Sequence, residues 1–189
     1  DCALSSLVPY DYIFRMDADD INLKTRFLNQ IFHLEKNKNI DILGTSALLI
    51  DENDVIYGEL QQLTDSIILK RNFPISSPLI HPSVCFRSSS IRKLRYPTNT
   101  VRFEDIGFWS LCYKSGLIIN NLNVPLLKYR LSQATLSRRT GVRKIISEFC
   151  VRISYIYSNN EIISRKTVFI ILIVLVKLFF PSNMFPFFS

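Results

Sequence analysis

Short apolar runs and one-faced helical spacings alternate along most of this chain, and that alternation predicts an α/β fold. Residues 10–16 read as a strand and Asp17–Asn22 as the loop at its end. Phe27, Leu28, Ile31, Phe32 and Leu34 fall on one broad face, so the spacing predicts an amphipathic helix over 23–37, stopped by Asn37-Lys-Asn39. Ile40–Ile50 is β-like, and Asp51–Asp54 is a turn into Val55–Tyr57. Together these make a strand–helix–strand unit with a hairpin-like extension.

The next stretch is more broken. Thr64 is placed to cap a short helix running to Arg71. Pro74, Pro78 and Pro82 interrupt regular structure before a strand at Ser83–Arg87. Ser88 is placed to cap a helix to Leu94, and 96–103 is a loop. Helical spacing returns over Glu104–Lys114, with Gly116 where a helix C-cap belongs. Leu117–Asn120 and Val124–Arg130 are strand candidates. A basic amphipathic helix over about 141–158 and an apolar one over about 164–180 follow. The whole is a mixed sheet with flanking helices, without internal repeat.

Composition sharpens this picture at the C-terminal end. The chain has 189 residues, 48% of them hydrophobic, enough for one domain with a core. Cys2, Cys85, Cys112 and Cys150 are widely spaced, which reads as reduced cysteines and not as a zinc site or disulfide framework. Residues 1–135 hold 15 Lys/Arg against 14 Asp/Glu, whereas 136–189 hold 8 against 2. The net charge of +7 therefore belongs mostly to the last third. That third also carries Val168–Phe180, 13 residues with Lys177 inside. A membrane span needs about 20 apolar residues. A helix lying in an anionic membrane interface, with Arg165, Lys166 and Lys177 at headgroup level, is the expectation, ahead of nucleic acid as a partner. A basic surface beside a buried helix is the plainer alternative.

The chemistry is concentrated in a few places. Three carboxylates, Asp17, Asp19 and Asp20, follow an apolar strand at its carboxyl end, where open α/β sheets bind ligands. Carboxylates so close repel unless protons or a cation intervene. Mg²⁺ is held by one or two carboxylates plus substrate phosphates, so the cluster reads as a metal–phosphate site or as a solvated turn. Glu104-Asp105 opens a helix, as a favourable interaction with the helix dipole or as a general base. His81 is structural or catalytic. Arg130 forms a surface ion pair or clamps a diphosphate through its forked guanidinium.

Met16-Asp-Ala-Asp-Asp20, Ile40-Asp-Ile-Leu-Gly-Thr45, His81-Pro-Ser-Val-Cys-Phe-Arg87, Glu104-Asp-Ile-Gly-Phe-Trp109 and Tyr129-Arg130 occur in this order. In that order they resemble the inverting, GT-A-fold (Rossmann-like) family 2 glycosyltransferases, over about residues 3–138. The resemblance implies a Mg²⁺ or Mn²⁺ cofactor at Asp17 and Asp19, and a donor-side role for Asp20. It implies that Asp105 is the catalytic base, that Glu104 and Trp109 shape the acceptor pocket, and that His81 and Arg130 position phosphate or acceptor. It further implies a nucleotide-sugar donor, a saccharide or lipid-linked saccharide acceptor, and a place in bacterial surface polysaccharide synthesis at the cytoplasmic face of the plasma membrane.

Two departures stand out. The family's N-terminal half-sheet, which cradles the donor base, has no counterpart, and a chain opening at Asp1 is expected to have residues upstream. The position two after the Tyr-Arg pair, a histidine in many relatives, is Ser132. The implied organisation is a C-terminal portion of a catalytic domain over 1–135 and a helical, membrane-associating tail over 136–189. A non-catalytic remnant or a membrane-surface binding module is the rival reading. An Asp-x-Asp phosphatase is a weaker one, because Ile21 stands where such enzymes carry Thr or Val.

Overall fold

The computed structural model describes residues 10–98, 104–131 and 142–158. One mixed sheet organises them. Its strands are β1 (Tyr12–Phe14), β2 (Ile21–Asn22), β3 (Ile42–Ile50), β4 (Ile56–Leu60), β5 (Cys85–Arg87) and β6 (Ile119–Arg130). The helices are α1 (Arg26–Lys36), α2 (Ser66–Asn72), α3 (Ser88–Ile91), α4 (Glu104–Lys114) and α5 (Val142–Ser158), and a single 3₁₀ turn spans His81–Ser83.

β3 is the spine. Eight of its nine residues are fully buried, as expected of a strand covered on both faces. Along one edge it pairs in parallel with β6 from Ile42 to Ile50. Its other edge is shared: β5 takes Ile42 and Leu43, and β4 takes Ala47–Ile50. The strand order is β1-β5-β3-β6-β2 with β4 beside β3. β1 and β3 each run antiparallel to β5, so β1, β3 and β6 point the same way.

Leu117–Asn120 and Val124–Arg130, expected as two strands, are one. β6 stays continuous because the register slips twice, from Thr45↔Leu122 to Ser46↔Pro125 and then to Ala47↔Leu127. Bulged residues absorb the mismatch where Pro125 has no N–H to give. Gly44 sits at a tight crossing. A Cβ there would lie 2.3 Å from Asn121 Oδ1 and 2.6 Å from Leu79, so only glycine fits without displacing a buried side chain.

α1 is amphipathic, but not on the expected face. Leu28 and Phe32 are 72% and 68% exposed and Phe27 is half exposed, whereas Arg26, Gln30 and Leu34 are buried. The reason is hydrogen bonding. The helix lies over strand ends whose carbonyls need donors. Gln30 Nε2 reaches the carbonyls of Leu43 (2.7 Å) and Ser83 (2.9 Å), and Arg26 Nη2 reaches those of Arg15 (2.9 Å) and Val84 (3.3 Å). An apolar stripe would have left the carbonyls of Leu43, Ser83 and Arg15 without these donors.

Smaller differences follow from capping. Asp65, not Thr64, caps α2, accepting from the N–H groups of Ile67 (2.8 Å) and Ile68 (3.0 Å). α3 stops at Ile91 and has Arg87 at its N-cap position. α4 has its expected bounds, and Gly116 beyond it takes a left-handed φ of +78°. α5 seals the core: Phe73 packs edge-on to Tyr155 and Tyr113, with centroids 4.7 and 5.2 Å away, and Arg152 donates to the Phe73 carbonyl. Among the described residues, no helix is long and apolar enough to cross a membrane. The apolar segment 164–180, Ser132 and Cys2 lie outside the described residues.

Candidate active site

The parallel strands β1, β3 and β6 share an orientation, and that gathers the chemistry. β1 runs straight into Arg15–Asp20, β3 ends at Asp51 and β6 ends at Arg130. β5 runs the other way, so the His81–Ser83 turn precedes it at the end where β1 stops; the Arg15 N–H donates to the Val84 carbonyl at 2.9 Å. Ligands of open α/β sheets bind at the carboxyl ends of the strands.

The acidic loop is held by arginines. Arg15 Nη2 pairs with Asp17 at 2.7 Å, while its Nη1 is buried without a partner. Arg130 straps the loop's far side. Its backbone N–H donates to Asp20 Oδ1 at 2.9 Å and its Nε to the Asp19 carbonyl at 2.8 Å, while its two terminal nitrogens go to the Asp51 carbonyl and the Asp54 carboxylate. Those carboxylate contacts hold its pKa above the usual arginine range. Arg130 thus has a full set of partners within its own chain, and a diphosphate would compete with Asp54 for it. Arg26 closes the loop from below, joining the Arg15 and Val84 carbonyls, Gln30 Oε1 (3.0 Å) and Asn22 Oδ1. It is completely buried without a carboxylate on its guanidinium, and burial lowers its pKa to about 10.

The three carboxylates are not equivalent. Asp19 is exposed and Asp17 half-buried beside Arg15. Asp20 is 5% exposed, and its Oδ2 is sealed without a partner. Burial raises its pKa to about 6; the Arg130 N–H opposes the rise, and the charges of Asp17 and Asp19 add to it. A group so poised accepts a proton or a cation. Among the described residues no three His, Cys, Asp or Glu side chains are grouped to hold a metal ion.

Aromatic packing builds the facing wall. His81 Nε2 lies 2.9 Å from the Tyr96 hydroxyl, and its ring sits edge-on to Trp109 with centroids 5.6 Å apart. Tyr96 stacks on Phe108 at 4.2 Å, and Trp109 stacks on Phe86 at 6.1 Å. Burial, with the Arg15 charge adding, pushes His81 down to about 3, so the imidazole is neutral near pH 7. Trp109 is completely buried, so it shapes the wall through His81 and Phe86 and offers no open surface of its own.

Glu104 and Asp105 open α4. Glu104 is exposed; Asp105 is half-buried, with Oδ1 accepting from the Ile106 N–H at 2.8 Å. Burial raises the Asp105 pKa, which makes its carboxylate a stronger proton acceptor. Tyr96 is the link between the walls. Burial raises its pKa first; the Arg15 charge then lowers it, while Asp105 and Glu104 raise it. The same arginine pairs with Asp17.

Arg15, Arg26, Gln30 and Tyr96 are the residues that sequence reasoning overlooked. Arg15 carried one signal, a charge interrupting an apolar strand. Arg26 and Gln30 carried another, polar residues spaced by four in line with Leu34.

No family model matches the chain. An uncharacterised glycosyltransferase of Methanocaldococcus jannaschii is 33% identical over 121 residues, 64% of this chain and 42% of that protein. The Escherichia coli UDP-Gal:α-D-GlcNAc-diphosphoundecaprenol β-1,3-galactosyltransferase is 26% identical over 150 residues, 79% of this chain and 54% of that one. A putative glycosyltransferase of Bacillus subtilis is 31% identical over 134 residues, covering 69% and 47%. The relatives are glycosyltransferases. The chain spans about half the length of the curated relatives it matches.

Proposed function

We propose that the chain carries acceptor-activating and donor-phosphate-binding parts of an inverting family 2 glycosyltransferase of the GT-A type. It would move a sugar from a nucleotide diphosphate to a saccharide or lipid-linked saccharide, in surface polysaccharide synthesis at the cytoplasmic face of the membrane. The observation that supports this reading is that Arg15, paired with Asp17, and the carboxylates of Glu104 and Asp105 all act electrostatically on Tyr96, whose hydroxyl lies 2.9 Å from His81 Nε2. Among the relatives, the E. coli enzyme is named for a UDP-linked donor and a diphosphoundecaprenol-linked acceptor, and an Erwinia amylovora relative for amylovoran biosynthesis.

Asp105 accepts the proton of the attacking hydroxyl. Its half-buried carboxylate has the raised proton affinity that this requires. One base on the face opposite the leaving group makes a single displacement, which inverts the anomeric centre. Asp17 and Asp19 would hold Mg²⁺ or Mn²⁺, which when bound neutralises charge on the departing diphosphate. Arg15 stands beside Asp17 with an unmet Nη1, a donor for phosphate oxygen. Asp20 and Arg130 fix the loop's path. His81 and Tyr96, neutral at pH 7, keep the space before Glu104 and Asp105 free of extra charge, and Trp109 packs behind them.

The test is transfer or hydrolysis of UDP- and GDP-sugars with Mn²⁺, in the protein as encoded in its full reading frame. Asp105→Asn is expected to lower turnover about 10²-fold or more while nucleotide binding survives. Turnover equal to that of the parent removes Asp105 as the base. Metal-independent nucleotide affinity removes the role of Asp17 and Asp19.

A further inference from the structure

Asn120, Asn121 and Asn123 crowd the first half of β6, although asparagine is disfavoured in strands. Asn121 is 1% exposed and sits beside Gly44 in the parallel pair of β6 with β3. Its two amide protons have one acceptor each. Nδ2 lies 2.9 Å from the Leu63 carbonyl and 2.9 Å from the Pro78 carbonyl. Its Oδ1 is buried without a partner, over Gly44. A flipped amide would set that oxygen against both carbonyls, so the two acceptors fix its orientation.

One side chain on β6 thus ties down both connections that flank α2. Leu63 precedes α2, and Pro78 follows it, three residues before His81. Asn120 supports the tie: it donates to Ser66 Oγ at 3.1 Å and accepts from the Asn121 N–H at 2.6 Å. Leu79 and Ile80 are buried in two different clusters, and that packing sets the depth of the segment before His81. Packing is not directional, whereas hydrogen bonds are, so they set the segment's position along the sheet. Behind His81, the Thr45 N–H reaches Ser83 Oγ at 3.0 Å and Gln30 Nε2 reaches the Ser83 carbonyl at 2.9 Å. Ahead of it, Asn121 holds Pro78.

We propose that Asn121 is a positioning residue for His81. By holding the Pro78 carbonyl it fixes where the His81–Ser83 turn meets the sheet. That sets the 2.9 Å contact of His81 Nε2 with the Tyr96 hydroxyl and the edge-on approach of His81 to Trp109. The placement of His81 is a property of the fold; its bearing on turnover rests on the glycosyltransferase reading.

The test reads His81 directly, in the whole chain and without ligand. The chain has two histidines and one tryptophan, so histidine ring shifts by NMR and tryptophan emission each report on a named residue. His33, on α1, is the internal control. Asn121→Leu offers no donor, and Asn121→Asp keeps the shape with one donor at most, when protonated. The expected result at pH 7 is a displaced His81 ring resonance and a red-shifted Trp109 emission, larger in Asn121→Leu than in Asn121→Asp, with His33 unmoved. Leu34→Ala opens a cavity in a separate cluster and should leave both signals as in the parent. If Asn121→Leu does not fold, Asn121→Asp decides alone. Parent-like His81 and Trp109 signals in a folded Asn121 variant overturn the proposal, and so does an equal displacement by Leu34→Ala. In the full reading frame, Asn121→Asp should lower transfer about tenfold or more. Displaced signals with undiminished transfer overturn the positioning role. A parent without transfer removes the glycosyltransferase reading instead, and the ligand-free signals still decide the placement of His81.

Discussion

Two pairs of carboxylates, Asp19 with Asp20 and Glu104 with Asp105, are held by opposite means. Asp19 and Asp20 sit on a loop tied down by arginines, whose guanidinium and backbone donors fix carbonyls and one carboxylate oxygen. Glu104 and Asp105 sit on the first turn of a helix held by buried aromatic rings, with Asp105 accepting from the Ile106 N–H. Polar ties are directional, so the loop's geometry is specified bond by bond. Packing is not, so α4 is located by volume, and its carboxylates remain available to something outside the chain. The contrast suits a division of labour in which the loop holds a ligand in place and the helix start moves a proton.

The contrast breaks first where each mode is concentrated. Arg26→Met should take the Arg26 donors from the Arg15 carbonyl and from two side-chain oxygens, at a cost of about 3–5 kcal/mol by urea denaturation. Trp109→Ala empties the facing wall, at about 3–5 kcal/mol. The two should part in a second measurement. In Arg26→Met, conditions that keep the protein folded should still show weakened Mn²⁺-dependent nucleotide binding, and Trp109→Ala should retain it. Equal binding losses would mean that the walls are one mechanical unit.

Asp105→Asn is the next largest effect and should fall on turnover alone. Because burial already opposes its charge, the neutral amide should cost little stability, so urea midpoints of variant and parent should agree within about 1 kcal/mol while turnover drops.

Asp20 gives a pH signature. Its folded pKa, about 6, lies above the ordinary aspartate value of 3.8, so between those values the native state binds more protons than the unfolded chain. Stability should therefore fall as pH rises from about 4 to about 6 and stay lower above that, by roughly 3 kcal/mol for a shift of this size. Asp20→Asn should flatten that slope and raise stability at pH 7.5. A parent whose stability rises across that window would show that Asp20 is ionised at low pH, against its burial.

Much of this arrangement was legible beforehand, and what was not has a common cause. Periodicity located α4 to the residue and β3 to within two, because burial on one face or both leaves an apolar record. The same logic failed on α1, where Phe27, Leu28 and Phe32 looked like the inner face. Burial there follows the hydrogen-bond needs of strand ends distant in sequence, and Arg26 and Gln30 record that need only by their spacing. Asp17, Asp19 and Asp105 could be singled out because clustered carboxylates at the end of a strand or the start of a helix are visible in the sequence. Arg130 could not be assigned, because its partners at Asp19 and at Asp51 and Asp54 come from two turns distant in sequence.

The smallest effect tests the finest part of the contrast. Arg130 has an 18% exposed side chain paired with a 56% exposed Asp54, so the ion pair is screened, and its loss should move stability least of the changes considered. Asp54 also holds a left-handed φ of 65°, which alanine accommodates poorly, so Asp54→Asn is the cleaner variant. Either change frees one arm of the Arg130 guanidinium while Asp19 and Asp51 keep the other nitrogens in place. If the arm is only a strap, nucleotide affinity should stay level or fall. If phosphate competes for it, affinity should rise in Asp54→Asn, and added salt should narrow the difference, because screening weakens the Asp54 pair in the parent. A rise would move Arg130 from holding the loop to holding the ligand, and the two walls would then differ less than their hydrogen bonds suggest.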